Sequence, residues 1–381
     1  FSTVFSLYLF ELLLFSNFLF KFKVNKINEK IDPRTKYEVL VELSESGLVP
    51  SMSPKYFLRS ANTIKNFAPM AGISHKKTVM CKENGPWIIY DSDRYGFNNN
   101  DNIWNNDNLF SYVLGDSFAY GACVNQNETI PAKLSKYGYD SINLAYSGNG
   151  PLYMLGSLKE YYKIKKANYI LWFYYEGNDL IDLEEELSYE KFNLIKYLDE
   201  EYSQNLLEKQ NLINKQLTKF YLSEQKKKLE INSKIKKERI KKYGYSGRAS
   251  NFDFKRFIKL YEIRVILGIA EYRVSDKTKE TFFKIISNAQ YFAENNNSKF
   301  IFIYLPRFAR NMKYSNNYQK NEIISGIKNL GIPVLDIHEK IFKKHPDPLS
   351  LFPFRKKGHY NKEGYDLVSK EVLKFLNLSV R

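Results

Sequence analysis

Cysteine is almost absent from this 381-residue chain, which has only Cys81 and Cys123. Two thiols make neither a disulfide framework nor the paired spacing of a zinc site. Either an oxidising compartment bridges them or they are two separate buried thiols. Histidine is scarce too. His75, His338, His345 and His359 show neither His-Glu-x-x-His nor a Cys/His pairing, so no metal and no cofactor are expected. No nucleic-acid reader motif appears either. The formal net charge of +16 would suit an acidic partner. However, the abundant Lys, Asn, Ile and Tyr fit the coding bias of an AT-rich genome, and no nucleic-acid partner is expected.

What is present is enough apolar residue for a large core, 44% hydrophobic with 16% aromatic. Residues 1–20 are apolar at fourteen of twenty positions, about the length of a bilayer span. With Leu and Phe outweighing Glu11, they predict a single N-terminal transmembrane anchor. No small-x-small cleavage site follows; Lys21, Lys23 and Lys26 come instead, which leaves the orientation open. Residues 21–108 form a polar lead-in broken by Pro33, Pro50, Pro54 and Pro69, with Trp87–Tyr90 as a strand.

From Leu109 the pattern alternates. It predicts strand 110–115, helix 129–137, strand 141–146, helix 151–164 and strand 168–175, so that 109–182 forms the first half of a domain. Residues 183–248 interrupt it as a charged, helical insertion. Nine basic residues face three acidic ones between Glu224 and Lys242. This arm reads as a solvated hairpin or as a lid or docking arm. Leu206, Leu207, Leu212, Ile213, Leu217 and Phe220 at helical spacing imply that one side packs on something. The second half, 249–381, predicts helices near 254–272 and 277–295, strand 299–305, helix 318–330, strand 332–336 and a last helix from Asn361 to about Phe375. Short apolar strands separated by helices imply an α/β fold with a parallel five-stranded sheet.

Four segments carry chemistry. Gly115-Asp116-Ser117-Phe118 follows the apolar run Tyr112-Val113-Leu114, which lifts the Ser117 hydroxyl to the carboxyl edge of the sheet, where open α/β folds bind ligands. Asn143-Leu144-Ala145-Tyr146-Ser147-Gly148, Glu176-Gly177-Asn178-Asp179 and Gly358-His359-Tyr360-Asn361 follow in that order. Serine is a poor nucleophile at neutral pH and needs a base such as imidazole. Gly-x-Ser-x-Gly is absent, since Ala119 stands where the second glycine would be, and this disfavours the α/β-hydrolase arrangement.

Together these segments resemble the SGNH (GDSL-type) hydrolase family over roughly residues 110–376. His359-Tyr360-Asn361-Lys362-Glu363-Gly364 is similar to the family's last block. The resemblance implies a flavodoxin-like doubly wound sheet with Ser117 as nucleophile and His359 as base. It also implies an oxyanion hole from the backbone N–H groups of Ser117 and Gly148 and the side-chain amide of Asn178. One position departs from the pattern. The family's imidazole-orienting aspartate, three residues before the histidine, is replaced here by Lys356, which cannot accept a proton from Nδ1. The alternatives are a Ser–His dyad, a backbone carbonyl, or a carboxylate from elsewhere in the chain with Asp347 the nearest upstream candidate; the dyad or the carbonyl is favoured, and His338 is the rival base.

The implied function is a membrane-anchored serine esterase or acyltransferase acting on a small acyl ester. O-acetyl on a cell-envelope carbohydrate is the leading substrate, and the catalytic domain is periplasmic or otherwise extracytoplasmic. A lipid or acyl-thioester hydrolase is one alternative; an anchored polysaccharide-binding or scaffold protein with a lapsed site is the other.

Overall fold

In a computed structural model, residues 2–22, 31–60, 64, 66–243, 257–260, 263–264, 274–311 and 318–378 are described. Eight strands are numbered along the chain. β1 (Val49–Pro50), β2 (Lys77–Val79) and β3 (Ile89–Asp91) form a small sheet in the lead-in, with β1 parallel and β3 antiparallel to β2. β4 (Leu109–Leu114), β5 (Ser141–Asn143), β6 (Ala167–Tyr175), β7 (Lys299–Leu305) and β8 (Val334–Asp336) form an all-parallel sheet in the order β5-β4-β6-β7-β8. That order is compatible with a flavodoxin-like doubly wound fold.

The aromatic and aliphatic runs Leu109–Leu114, Ile170–Tyr174 and Phe300–Leu305 form the three central strands, and nearly all of their side chains are buried. Strands buried on both faces need helices on both faces. One group pairs helix Ile130–Lys136 with helix Lys362–Phe375; another packs helices Pro151–Tyr161, Asp179–Ser188, Asp276–Asn295 and Tyr318–Asn329 together. Side-chain caps fix the helix starts. Thr129, Ser275 and Asn361 accept from the backbone N–H groups of Ala132, Thr278 and Gly364.

Two strands are shorter than the apolar runs suggest. β8 starts only at Val334, because Pro333 has no N–H for the ladder, although its carbonyl accepts from Phe302 N at 3.1 Å. β5 ends at Asn143, where the edge is occupied by a side chain. Asn99 Oδ1 accepts from Asn143 N at 2.8 Å and Asn99 Nδ2 donates to Asn143 O at 3.0 Å. An amide thus pairs with the exposed backbone as a further strand would.

The N-terminal anchor is not supported: among the described residues, no helix is long and apolar enough to cross a membrane. Residues Ser2–Phe22 are helical, but the segment carries Ser2, Thr3, Ser6 and a central acid. Glu11 is buried, and its Oε2 accepts from the backbone N–H of Ile263 at 2.8 Å. Most of the helix expected at 254–272 lies outside the described residues, as does the 244–248 end of the insertion.

The lead-in is not a loose connector. Met52, Phe57, Leu58, Met70, Ile73 and Met80 join the same core as the parallel sheet. The charged arm closes over it. Helices Gln210–Phe220 and Lys226–Tyr243 flank a π-turn at Tyr221–Gln225, and Ile213, Leu217 and Phe220 are buried while Leu212 stays exposed. Ser233 Oγ lies 2.8 Å from Thr35 Oγ1, Ser60 Oγ donates to Glu224 at 2.9 Å, and Lys237 pairs with Glu38. The arm thus clasps the lead-in segment, so its apolar stripe has an intramolecular partner.

Candidate active site

β4 ends at Leu114, and Gly115 makes the turn. A Cβ there would lie 2.5 Å from Ala119 Cβ and 3.1 Å from Phe173 O, so only glycine fits. Asp116 caps the short helix Ser117–Tyr120, its Oδ1 accepting from Phe118 N at 2.8 Å. Burial pushes the Asp116 carboxyl up, offset in part by the hydrogen bond from Phe118. Ser117 is the first residue of that helix, and its hydroxyl faces the loop before helix Lys362–Phe375.

His359 sits in that loop. Its Nε2 lies 2.8 Å from Ser117 Oγ across 242 positions of sequence. The ring is 4.8 Å from Phe118, which stacks on Tyr175 at 3.7 Å. Tyr360 anchors the loop from behind, donating to Pro306 O at 2.7 Å, and Asn361 Nδ2 donates to Ser350 O at 2.7 Å. The imidazole is therefore fixed by packing and by its neighbours' hydrogen bonds.

A carboxylate, rather than a backbone carbonyl, meets His359 Nδ1, and it is not Asp347. Glu83 Oε2 lies 3.0 Å from His359 Nδ1 and accepts from His359 backbone N at 2.7 Å. Asp347 instead pairs with Arg355. Lys356 is exposed, and the charge missing three residues before His359 is supplied by a residue 276 positions away. Burial raises the Glu83 carboxyl, but the side-chain bond, the charge and the backbone bond of His359 together outweigh it and leave Glu83 below its ordinary value. His338, the rival base, lies elsewhere: its Nδ1 is 2.9 Å from Lys320 Nζ. Burial and then the Lys320 charge hold its imidazole below the ordinary value.

Glu83 comes from the turn between β2 and β3, and the chain around it is fastened just past the helix that carries Ser117. Cys81 and Cys123 form a disulfide, which resolves the bridged-or-free alternative in favour of the bridge. Asn84 Nδ2 donates to Cys123 O at 2.7 Å, and Cys123 N donates to Met80 Sδ at 3.2 Å. A signal for Glu83 did exist in the sequence. A Cys81–Cys123 bridge brings residue 83 beside a serine six residues before Cys123.

The oxyanion candidates sit around the same strand ends. Gly148 has φ +85°, and a Cβ there would lie 2.1 Å from Ser53 Oγ. Asn178 precedes helix Asp179–Ser188, and its Nδ2 donates to Asp182 Oδ2 at 2.6 Å. Lys55, two residues beyond Ser53, pairs with Asp182. Burial pushes Asp182 up to about 6, against the pull of Lys55 and Asn178. Sequence reading missed Lys55 and Asp182; they bridge Gly148's neighbour to Asn178. Beneath them, Glu176 is locked by Arg310 and accepts from Arg307 N at 2.8 Å, which fixes the turn carrying Asn178.

Among the described residues, one mixed cluster of metal-ligating types occurs, Glu83, Cys123 and His359, with donor atoms within 4.8 Å of one another. The Cys123 sulfur is bonded to Cys81, and Glu83 and His359 are bonded to each other, so the set is occupied by its own contacts.

No protein-family model matches the sequence, and no curated protein does. Function therefore rests on the residues and their geometry.

Proposed function

We propose that the chain is an SGNH-type serine esterase or acyltransferase, with Ser117 as nucleophile, His359 as general base and Glu83 as the acid that orients it. The observation that carries this reading is the unbroken line Ser117 Oγ, His359 Nε2, His359 Nδ1, Glu83 Oε2, with steps of 2.8 and 3.0 Å across the two hydrogen bonds. A carboxylate on Nδ1 selects the tautomer whose Nε2 lone pair faces serine, and it stabilises the imidazolium once the proton has moved. The sheet order and the strand-end position of Ser117 are compatible with the same family.

In this mechanism, Ser117 Oγ attacks the acyl carbonyl while His359 Nε2 takes its proton. The resulting oxyanion accepts from the backbone N–H groups of Ser117 and Gly148 and from the Asn178 amide. Collapse breaks the ester C–O bond, and His359 returns the proton to the leaving alcohol. Water or an acceptor hydroxyl then attacks the acyl-serine with His359 again as base, giving hydrolysis or transfer. A small O-acyl ester of a cell-envelope carbohydrate is the proposed substrate, on the family resemblance alone. An extracytoplasmic location is proposed on the disulfide, a bond that persists in oxidising compartments.

Hydrolysis of a chromogenic acetyl ester by wild type and Ser117→Ala tests the reading. Turnover should fall to background while the thermal transition stays in place. Equal turnover by the two proteins would refute it.

A further inference from the structure

Glu83 has little of its own to hold it. Its side chain is 36% exposed, and a single oxygen, Oε2, makes both contacts to His359. It rides on the turn closed by Gly85 N donating to Lys82 O at 3.1 Å, at the tip of a hairpin whose paired strands are three residues each. The hairpin belongs to the three-stranded β1-β2-β3 sheet, and Glu83 stands beyond its last paired residues, Cys81 and Ile88. Room at the contact is also tight: a Cβ on Gly358 would lie 2.6 Å from Glu83 Oε2. A small displacement of the tip therefore breaks the contact with Nδ1.

Asp32 N donates to Gly85 O at 2.8 Å and Lys82 Nζ reaches the carbonyls of Asp32 and Arg34, so the lead-in also holds the tip; the disulfide is its covalent tie to the segment that follows Ser117. Cys81 lies two residues before Glu83, and Cys123 lies just past the nucleophile helix, in the left-handed region at φ +66°. Between them, residues 80, 81 and 84 touch residue 123 through the Met80 thioether, the S–S bond and the Asn84 amide. The helix that carries Ser117 and the turn that carries Glu83 are thus tied at one point, and His359 spans the gap between them.

We infer that the Cys81–Cys123 disulfide is a positioning device for the Glu83 carboxylate, so that acyl transfer depends on the oxidised state of this pair. The inference rests on the reading of Ser117, His359 and Glu83 given above. In the gating step a dithiol reductant supplies two electrons and two protons. The Cys81–Cys123 S–S bond breaks, two thiols form, and the reductant becomes its own disulfide. Two thiols cannot stay at bonding distance; they part to non-bonded contact, and the turn moves with Cys81. His359 then loses the acceptor on Nδ1, while the β4 end and the oxyanion donors stay where they are. The amide-lined cleft of about 570 Å³ beside β5 offers no comparable inference, because Asn98, Asn99, Asn106 and Asn125 already bond to Tyr120, Asn143, Asp140 and Glu128.

The test uses the full chain, oxidised and dithiol-reduced, together with the Cys81→Ser/Cys123→Ser protein. A chelator is present throughout, because a free Cys123 thiolate beside Glu83 and His359 is a donor set for a stray divalent metal. Two readouts are taken: the rate of covalent labelling by a fluorophosphonate, and the downfield proton resonance of His359 Nδ1–H. Reduction should slow labelling by roughly a hundredfold or more and abolish the resonance, and reoxidation should restore both. In the Glu83→Gln background, loss of the disulfide should change labelling by less than about threefold, because positions acting through one contact are not additive.

Near-UV circular dichroism shows whether the double-serine protein is folded. If it is not, the time course of reduction and reoxidation in the native chain decides the matter. Equal labelling and an unchanged resonance in both redox states would overturn the inference, as would effects that multiply in the Glu83→Gln background. If oxidised wild type fails to label at all, the serine reading fails, while the resonance still reports whether the disulfide holds Glu83.

Discussion

The carboxyl edge of the parallel sheet and the tip of the β2–β3 hairpin meet on opposite sides of one imidazole, and they are built differently. On the sheet side, Ser117 hangs from a buried strand, with a glycine that nothing else can replace and a capped helix behind it. On the hairpin side, Glu83 is a partly exposed residue on a short turn, tied by a disulfide and an amide. Ser117 is placed by the fold, and Glu83 is placed by cross-links. That contrast explains how a chain with Lys356 at the usual aspartate position can still present a carboxylate to Nδ1: the charge arrives from a segment outside the sheet.

The largest effect that would break this comparison is His359→Ala, which removes the group both sides share. Turnover of an acetyl ester should fall about as far as in Ser117→Ala, on the order of 10⁶-fold, and the double variant should be no worse. A further loss in the double variant would mean that the two residues do not act as a unit.

Next in size is the pair of carboxylates. Glu83→Gln should lower turnover by about 10⁴-fold, because an amide can donate to Nδ1 and hold the wrong tautomer. Asp347→Asn should change turnover by only a few-fold, since its partner is Arg355. Steady-state kinetics from acid to neutral pH on both variants decides the matter; a large loss in Asp347→Asn alone would reverse the assignment.

These two positions also show where the sequence is legible. Ser117, Gly148, Asn178 and His359 can be read because each lies at a strand end or helix start with a local pattern around it. The sheet is legible for a similar reason, since aromatic and β-branched runs of six to nine residues are buried on both faces. Glu83 leaves no local pattern. Its strands are two or three residues long, and its nearness to Ser117 can be read only through a bridge between Cys81 and Cys123. The N-terminal helix shows the converse, a pattern that no spanning helix among the described residues supports. A tally of apolar residues predicts a membrane span, yet the acid at its centre caps the backbone of Ile263.

A smaller effect sharpens the sheet side. Asn178→Ala removes a donor proposed for the oxyanion hole and should cost about 10²- to 10³-fold in turnover, with little change in the Michaelis constant. A loss in the Michaelis constant alone would make Asn178 a substrate-binding residue.

The smallest effect concerns stability around the same loops. Glu186 caps helix Pro151–Tyr161, accepting from Gly150 N at 2.8 Å and Leu152 N at 2.9 Å, and burial pushes it up to about 8. A folded-state value above the unfolded one means that its contribution is complete below the ordinary 4.5 and is lost as pH rises through about 8. Wild-type stability should therefore fall across that interval. In Glu186→Gln the slope should be shallower by up to about 1.4 kcal/mol per pH unit. Denaturant titrations at a series of pH values, wild type against variant, read the difference. Parallel slopes would show that Glu186 is ionised throughout.

The most direct test of the central claim is the site of a covalent adduct. Oxidised wild type treated with a fluorophosphonate should carry one adduct, on the peptide containing Ser117 by mass spectrometry. The labelling rate should collapse in His359→Ala and Glu83→Gln and persist in Asp347→Asn. An adduct on another residue, or labelling of Ser117 at equal rates in all four proteins, would contradict the account.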